Sequence, residues 1–354
     1  MRKHFIRLVG NKRQEEISLE KIETVILGGG RVGDVVVKTP MLKALKEKAP
    51  HIRIDVVVDP SAASLLENCP YVDSIILAEK RHRVKLVRIF REIKSAIKSR
   101  KKYDLKFDFK DTCNFIHILS LRIASPKFLV GKPRREKYGI KKDELTIFNR
   151  YIEPRGGHAT EINMNLLEAI GIQDENRKYE LHLGDKEEKY KGYFKKDKKN
   201  LIFSYKGSTE KKSMSNEDIK YFLNELPTLD ENLVIHILTV PSDYGKMLAE
   251  VNKLNNPQIK LLPKTKDVAE AAAIVKYGDV LLSVDTGIVH IASAYNIPIV
   301  GIYPKAPKTF ELFKPKSDEY YVSFGDNPDG TSIDGYDKSK VLKNIKKLLC
   351  NKSL

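Results

Sequence analysis

Apolar residues along this chain come in two alternating patterns. Short runs at 24–27, 52–58, 72–77, 103–109 and 128–131 have the length and composition of buried strands. Between them, apolar positions recur every three or four residues, which predicts helices over 34–48, 61–66, 115–124 and 160–170, the last closed by Gly171. Strands that alternate with helices form a parallel α/β sheet, because a parallel pair needs a crossover and a helix supplies it.

The periodicity fades between 173 and 200, where charge takes over, and 186–199 reads as a solvated helix or linker. This predicts a boundary between domains 1–185 and 186–354. The alternation then restarts with strands at 200–204, 233–238, 259–262, 280–284 and 297–303, and helices at 216–226, 244–252 and 267–277. A basic helix over 339–349 ends the chain and is a candidate to pack back on the N-terminal domain. The expected architecture is two parallel α/β domains facing a cleft, with ligands outside the carboxyl ends of the strands.

Charge sharpens one segment. Residues 80–102 carry eleven lysines and arginines against Glu92 alone, with Leu86, Ile89, Phe90, Ile93 and Ile97 at helical spacing. That stripe is expected to pack inward while the cations surround it, leaving either a solvated helix or a face on anionic lipid. Over 354 residues, 64 lysines and arginines against 47 acids give +17, a balance that suits a polyanionic partner: nucleic acid, anionic lipid or a phosphorylated glycan. Aromatic platforms for nucleic acid are not evident among the basic segments. Cys69, Cys113 and Cys350 are too few and too scattered for a disulfide framework or a zinc site. The basic N-terminus lacks the apolar core of a secretory signal, and no run of about 18 apolar residues exists to span a membrane, so a cytoplasmic protein is expected.

Three stretches carry candidate chemistry. Gly28 to Asp34 satisfies G-x-G-x-x-G after a strand, and Asp59 ends the next strand where a dinucleotide fold places its ribose acid. An NAD(P)- or flavin-dependent oxidoreductase using the Gly28–Gly33 loop is therefore an alternative. Against it stand Pro40, in the middle of the following predicted helix, and the β-branched run Val35 to Val37. The second stretch, 204–217, offers glycine, hydroxyls and lysines to a phosphate, including Ser208 and Lys212. The third is a buried strand turning sharply into a helix at Asp285-Thr286-Gly287, followed by His290. Backbone N–H groups and the helix dipole favour an anion at such a turn, although Asp285 or Thr286 could serve only as an N-cap and His290 could simply sit on a helix face. Asp-Thr-Gly in aspartic proteases belongs to an all-β fold with two such carboxylates, which this chain lacks.

Taken together, Arg31-Val32-Gly33-Asp34 with Thr39, Pro40 and Leu45, and Asp285-Thr286-Gly287 with His290, Pro298 and Tyr303, resemble the bacterial heptosyltransferases, ADP-heptose:lipopolysaccharide glycosyltransferases of family 9. The resemblance spans about 21–349 and implies a GT-B fold of two Rossmann-like domains, the first binding acceptor and the second the nucleotide sugar. It implies inverting, metal-independent transfer of heptose from ADP-heptose to a hydroxyl of the lipopolysaccharide inner core, on Kdo- or heptose-bearing lipid A. Asp34 resembles the catalytic base. Lys212, Ser208, Asp243, Asp285, Thr286, Gly287 and His290 would bind the donor, and Gly30, Arg31, Gly33 and Thr39 would form the acceptor-side loop. No metal ligand and no cofactor beyond the nucleotide-sugar substrate are implied. A monomer at the anionic inner-membrane surface, without a nucleic-acid partner, is expected. Two departures concern the donor: Met214 stands where the family has tryptophan, and the loop Thr239 to Asp243 lacks its usual glycine.

Overall fold

The computed structural model describes residues 2–13, 15–79 and 83–350. The chain divides into two compact units, one of Met1–Arg31 with Val37–Lys178 and one of Val32–Val36 with Tyr179–Leu354. The division after Lys178 compares with the boundary expected after residue 185.

The first unit holds α1 (Arg2–Gly10), β1 (Thr24–Gly30), α3 (Thr39–Lys48), β2 (Arg53–Val58), β3 (Ser74–Leu77), α4 (Lys85–Lys98), β4 (Leu105–Asp108), α5 (Phe115–Ala124), β5 (Phe128–Gly131), β6 (Arg150–Tyr151) and α6 (Ala159–Asn165); α2 (Val32–Val36) belongs to the second. Its strands pair in parallel in the order β3-β2-β1-β4-β5-β6. The second unit continues with β7 (Lys199–Ser204), α7 (Asn216–Glu225), β8 (Leu233–Ile237), α8 (Tyr244–Leu254), β9 (Ile259–Leu261), α9 (Val268–Val275), β10 (Val280–Val284), α10 (Gly287–Ala294), β11 (Ile299–Tyr303), α11 (Pro307–Phe313), β12 (Tyr320–Phe324) and α12 (Lys338–Cys350). Its sheet, β12-β11-β10-β7-β8-β9, is parallel throughout and repeats the same order. In each sheet the order reverses beside the first strand. Successive loops diverge there and leave a crevice at the carboxyl ends.

Several expectations need correction. The helix over 34–48 is two helices, because the backbone leaves helical pairing at Val37 and restarts with Lys38 as N-cap. Pro40 stands in the first turn of α3, where its missing N–H has no partner to lose, so it starts a helix and kinks none. The segment 186–199 is no free linker. Lys186 binds Asp267 at 2.9 Å, Lys276 binds Glu187 at 2.7 Å, and the Tyr190 hydroxyl donates to Glu270 at 2.8 Å, so side chains tie it to α9 and its flanks. The last helix, α12, buries Val341, Ile345, Leu348 and Leu349 in the core of its own unit.

The stripe of α4 packs inward only in part, with Ile89 and Ile93 half-buried. Ala96 alone is buried on that helix, while Leu86, Phe90 and Ile97 are 75%, 67% and 59% exposed. Residues 80–82 of the basic segment lie outside the described residues. Helix α1 was not legible in the sequence because its apolar side is narrow; it seats Ile6 among Ile118, Leu121, Leu129 and Phe148.

Candidate active site at the switch point of the second unit

Strand β7 ends at Ser204 and the chain enters a tight loop. Gly207 is required there, since a Cβ would stand 2.2 Å from the Lys212 carbonyl oxygen. The Met214 N–H donates to the Tyr205 carbonyl at 3.0 Å. The Ser213 hydroxyl accepts from the Gly207 N–H at 3.0 Å and donates to the Thr209 carbonyl at 2.9 Å. This closed loop delivers the Lys212 ammonium to the Asp285 carboxylate, 2.6 Å away. Both side chains are half-buried, so the pair is stronger than a surface ion pair and still within reach of a ligand.

Asp285 follows the neighbouring strand β10 and remains tied to the sheet by its N–H, which donates to the Ile302 carbonyl at 2.9 Å. Thr286 takes the N-cap position of α10 with extended backbone, but its side chain makes no capping hydrogen bond. Its hydroxyl is thus not spent on the first turn, whose N–H groups and dipole favour negative charge. The N-cap reading of Thr286 holds for the backbone and fails for the side chain.

Two glycines then bring α2 onto α10. A Cβ on Gly287 would meet Val32 Cγ1 at 2.5 Å, and one on Gly33 would meet His290 Cδ2 at 2.8 Å. His290 is buried, with the Tyr179 and Phe313 rings edge-on at 6.5 and 6.0 Å. Asp34, half-buried on the one-turn helix α2, is held in the same unit as Lys212 and Asp285 by this contact.

Lys212 and Asp285 open into a small cleft also lined by Tyr303, Phe310, Phe313 and Gly330. The Tyr303 ring folds back over Gly301, where a Cβ would lie 2.5 Å from it, and packs edge-on against Phe310 at 5.1 Å. Its buried hydroxyl has no partner among the described residues. Burial first, and then the Asp285 charge, pushes its pKa well above the ordinary tyrosine value, so it stays a neutral donor. Tyr303, Phe310 and Phe313 were not singled out as site residues from sequence; only the folding of α11 over β11 brings them to Lys212.

The remaining predicted residues are dispersed. Asp243 lies at the N-cap of α8, with its carboxylate 3.7 Å from Lys206, which also donates to Glu210 at 2.8 Å. Ser208 is exposed on the loop after β7. Gly30, with φ of +87°, ends β1, Arg31 is exposed and Thr39 is buried at the start of α3, all three in the first unit. Asp59, the would-be ribose acid, instead caps the next turn by accepting from the Ser61 N–H and hydroxyl at 3.0 and 2.6 Å. Beside it, the Gly29 carbonyl accepts from the buried Lys38 ammonium at 3.1 Å. Among the described residues no group of three or more histidine, cysteine or acidic side chains could hold a metal ion.

Two doubly wound sheets of equal strand order, one with a lysine–carboxylate pair and a helix N-terminus at its switch point, are the architecture of a GT-B fold. Known proteins make the class specific. The profile of glycosyltransferase family 9 (heptosyltransferase) matches residues 123–334, and the chain belongs to that family. The chain is 21% identical over 285 residues to lipopolysaccharide heptosyltransferase 3 of Escherichia coli, covering 77% of this chain and 80% of that one. A family 9 glycosyl transferase from Veillonella parvula superposes with a TM-score of 0.70 at 17% identity, over 96% of this chain and 99% of the other. Escherichia coli heptosyltransferase WaaC, solved with ADP-2-deoxy-2-fluoro heptose, gives 0.65 at 15% identity over 93% and 100%. The oxidoreductase alternative falls with the family.

Proposed function

We propose that this enzyme transfers heptose from ADP-heptose to a hydroxyl of the lipopolysaccharide inner core, with inversion and without a metal. The observation that carries the reading is the α2–α10 contact, which holds a carboxylate, Asp34, in the unit that bears the lysine, the helix N-terminus and the cleft. The solved relative with a fluorinated ADP-heptose analogue supports the donor. The acceptor is Kdo- or heptose-bearing lipid A.

In the reaction, the acceptor oxygen bonds to the anomeric carbon from the face opposite the diphosphate while Asp34 takes the hydroxyl proton. The bond from that carbon to the diphosphate oxygen breaks, and ADP leaves with the electron pair. Charge builds on the diphosphate as the sugar becomes oxocarbenium-like. The Lys212 ammonium and the first-turn N–H groups of α10 stabilise that charge in advance, a task a metal performs in other enzymes. Ser208, Thr286, Gly287 and His290 complete the donor side, Asp243 reaches the ribose, and Gly30, Arg31, Gly33 and Thr39 shape the acceptor-side loop. The enzyme works as a monomer on the cytoplasmic side of the inner membrane, held at its anionic surface by the +17 charge. Among the described residues no helix is long and apolar enough to cross a membrane.

The test is Asp34→Asn. Loss of a general base costs about 10²–10⁴-fold in rate, with ADP-heptose binding by calorimetry unchanged. A variant that transfers normally would remove Asp34 from the chemistry.

A further inference from the structure

The outward stripe of α4 is a surface that neither fold nor donor site uses. Leu86, Phe90 and Ile97 share one side of the helix by their four- and seven-residue spacing, and all three are exposed. The opposite edge is spent on α5: Ala96 is buried, and the Glu92 carboxylate reaches the His117 ring at 3.2 Å and accepts from the Ser120 hydroxyl at 3.3 Å. On the other flank of α5 packs α1, which seats Ile6 and leaves Phe5 and Leu8, three residues apart, 51% and 73% exposed. Both helices thus lie on one face of the first sheet, and each turns an apolar side outward.

Cations frame both stripes. Helix α4 carries Lys85, Arg88, Arg91, Lys94 and Lys98 against Glu92, and α1 carries Arg2, Lys3 and Arg7 with no acid of its own, Arg7 being taken up by Glu144. Glu79 takes up Arg91, at 3.0 Å, and lies 3.9 Å from Lys94, whereas Lys85, Arg88 and Lys98 form no ion pair among the described residues. A protein partner of ordinary surface would meet this frame with scattered charges of both signs. An anionic bilayer matches it throughout, with acyl chains for the apolar side and headgroups for the rim.

We infer that the α1–α4 face of the first unit docks on an anionic lipid bilayer, with Leu86, Phe90, Ile97, Phe5 and Leu8 entering the interface and the lysines and arginines beside them resting on headgroups. The inference rests on the proposed function for its purpose, since a glycolipid acceptor is held in such a bilayer, but its test is a lipid-binding measurement that does not involve the sugar.

The full chain is sedimented with phosphatidylcholine vesicles with and without phosphatidylglycerol. Binding is expected to the anionic vesicles and to fall about tenfold or more in Leu86→Glu/Phe90→Glu, which places charge in the acyl boundary. Lys94→Glu/Lys98→Glu should weaken binding several-fold and reduce its salt sensitivity. Both variants alter exposed side chains, and unchanged circular dichroism and ADP binding are expected of them. Wild type that ignores anionic vesicles, or Leu86→Glu/Phe90→Glu that binds as wild type does, overturns the proposal. A wild-type dimer that this variant converts to monomer also overturns it, by assigning the face to a second copy. Vesicle binding without ADP-heptose binding would instead remove the proposed donor and leave the docking surface standing.

Discussion

At Gly287 a single methyl group decides whether two helices can meet. Val32 Cγ1 lies 2.5 Å from where a Gly287 Cβ would be, so Gly287→Ala must push α2 away from α10. Overpacking of this kind costs about 1–3 kcal/mol, and calorimetry should show a lowered Tm; with Asp34 as the proposed base, transfer assays should also show slower turnover with ADP affinity less affected. Lys212 is governed by charge. Lys212→Ala removes the partner of a half-buried carboxylate and the cation proposed for the diphosphate. Charge-assisted hydrogen bonds contribute about 1.5–3 kcal/mol, which corresponds to roughly a ten- to hundredfold loss of ADP affinity by titration. Lys212→Arg should recover part of it. Gly287 stands out in the chain as the glycine of a sharp strand-to-helix turn, whereas Lys212 is one of several lysines in its loop and is picked out only by the family resemblance. Mutual distances were not legible: the 2.6 Å Lys212–Asp285 pair joins loops after β7 and β10, adjacent only once the sheet order is known.

Among the elements, β4, α5 and the segment after β5 build a second charged cluster, well inside the first unit. The His117 Nε2–H donates to Asp108, 2.8 Å away, and Asp108 also accepts from the buried Arg134 at 2.8 Å. Burial works to lower the His117 pKa, but its bonds to Asp108 and Glu92 outweigh it and hold the pKa above the ordinary value. Burial likewise opposes the charged form of Asp108, yet bonds from His117 and charge from Arg134 hold it well below the carboxylate range. Glu92 is held low chiefly by His117. A raised histidine contributes stability in full below its unfolded value, near 6.5, and loses it as pH climbs through the folded value. Lowered carboxylates contribute above their unfolded values, near 4, and lose that as pH falls. The Tm advantage of wild type over His117→Gln should therefore be largest on the mildly acidic side and shrink as pH rises above the ordinary histidine value, near 6.5. Asp108→Ala strands Arg134 and is expected to cost about 3–5 kcal/mol in urea unfolding.

Element prediction succeeded where a segment is apolar on nearly every side: the boundaries expected for α5, β5 and β10 are those found. It erred where a local pattern admitted two tertiary outcomes. Pro40 signalled a break, but its position in the first turn of α3 depended on where α2 stopped. The stripe of α4 was legible as a stripe, while the side it faces is set by α5. Strand β12, with half-buried tyrosines at the sheet edge, carried too little alternation to be seen.

For the whole molecule, repetition of one strand order in two sheets gives the second unit a switch point with its own site. If helix N-terminus and lysine do take the diphosphate charge, transfer by the purified enzyme should be undiminished in EDTA, and an absolute requirement for added divalent cation would refute that division of labour. Membrane recruitment through a cationic face should weaken with salt, because screening shortens the reach of exposed charges.

The excursion of Val32–Val36 also bears on how the protein can be taken apart. The second unit consists of two separate stretches of chain, so cutting after Lys178 yields a fragment without the segment that covers Gly287 and meets His290. Truncation would thus misreport both halves, leaving the C-terminal piece with a bare helix face and the N-terminal piece with an unanchored loop. A permuted chain, or residues 32–36 supplied in trans as a peptide, is the appropriate way to separate them, and rescue of the fragment's ADP binding by that peptide would measure how much of the site five residues complete.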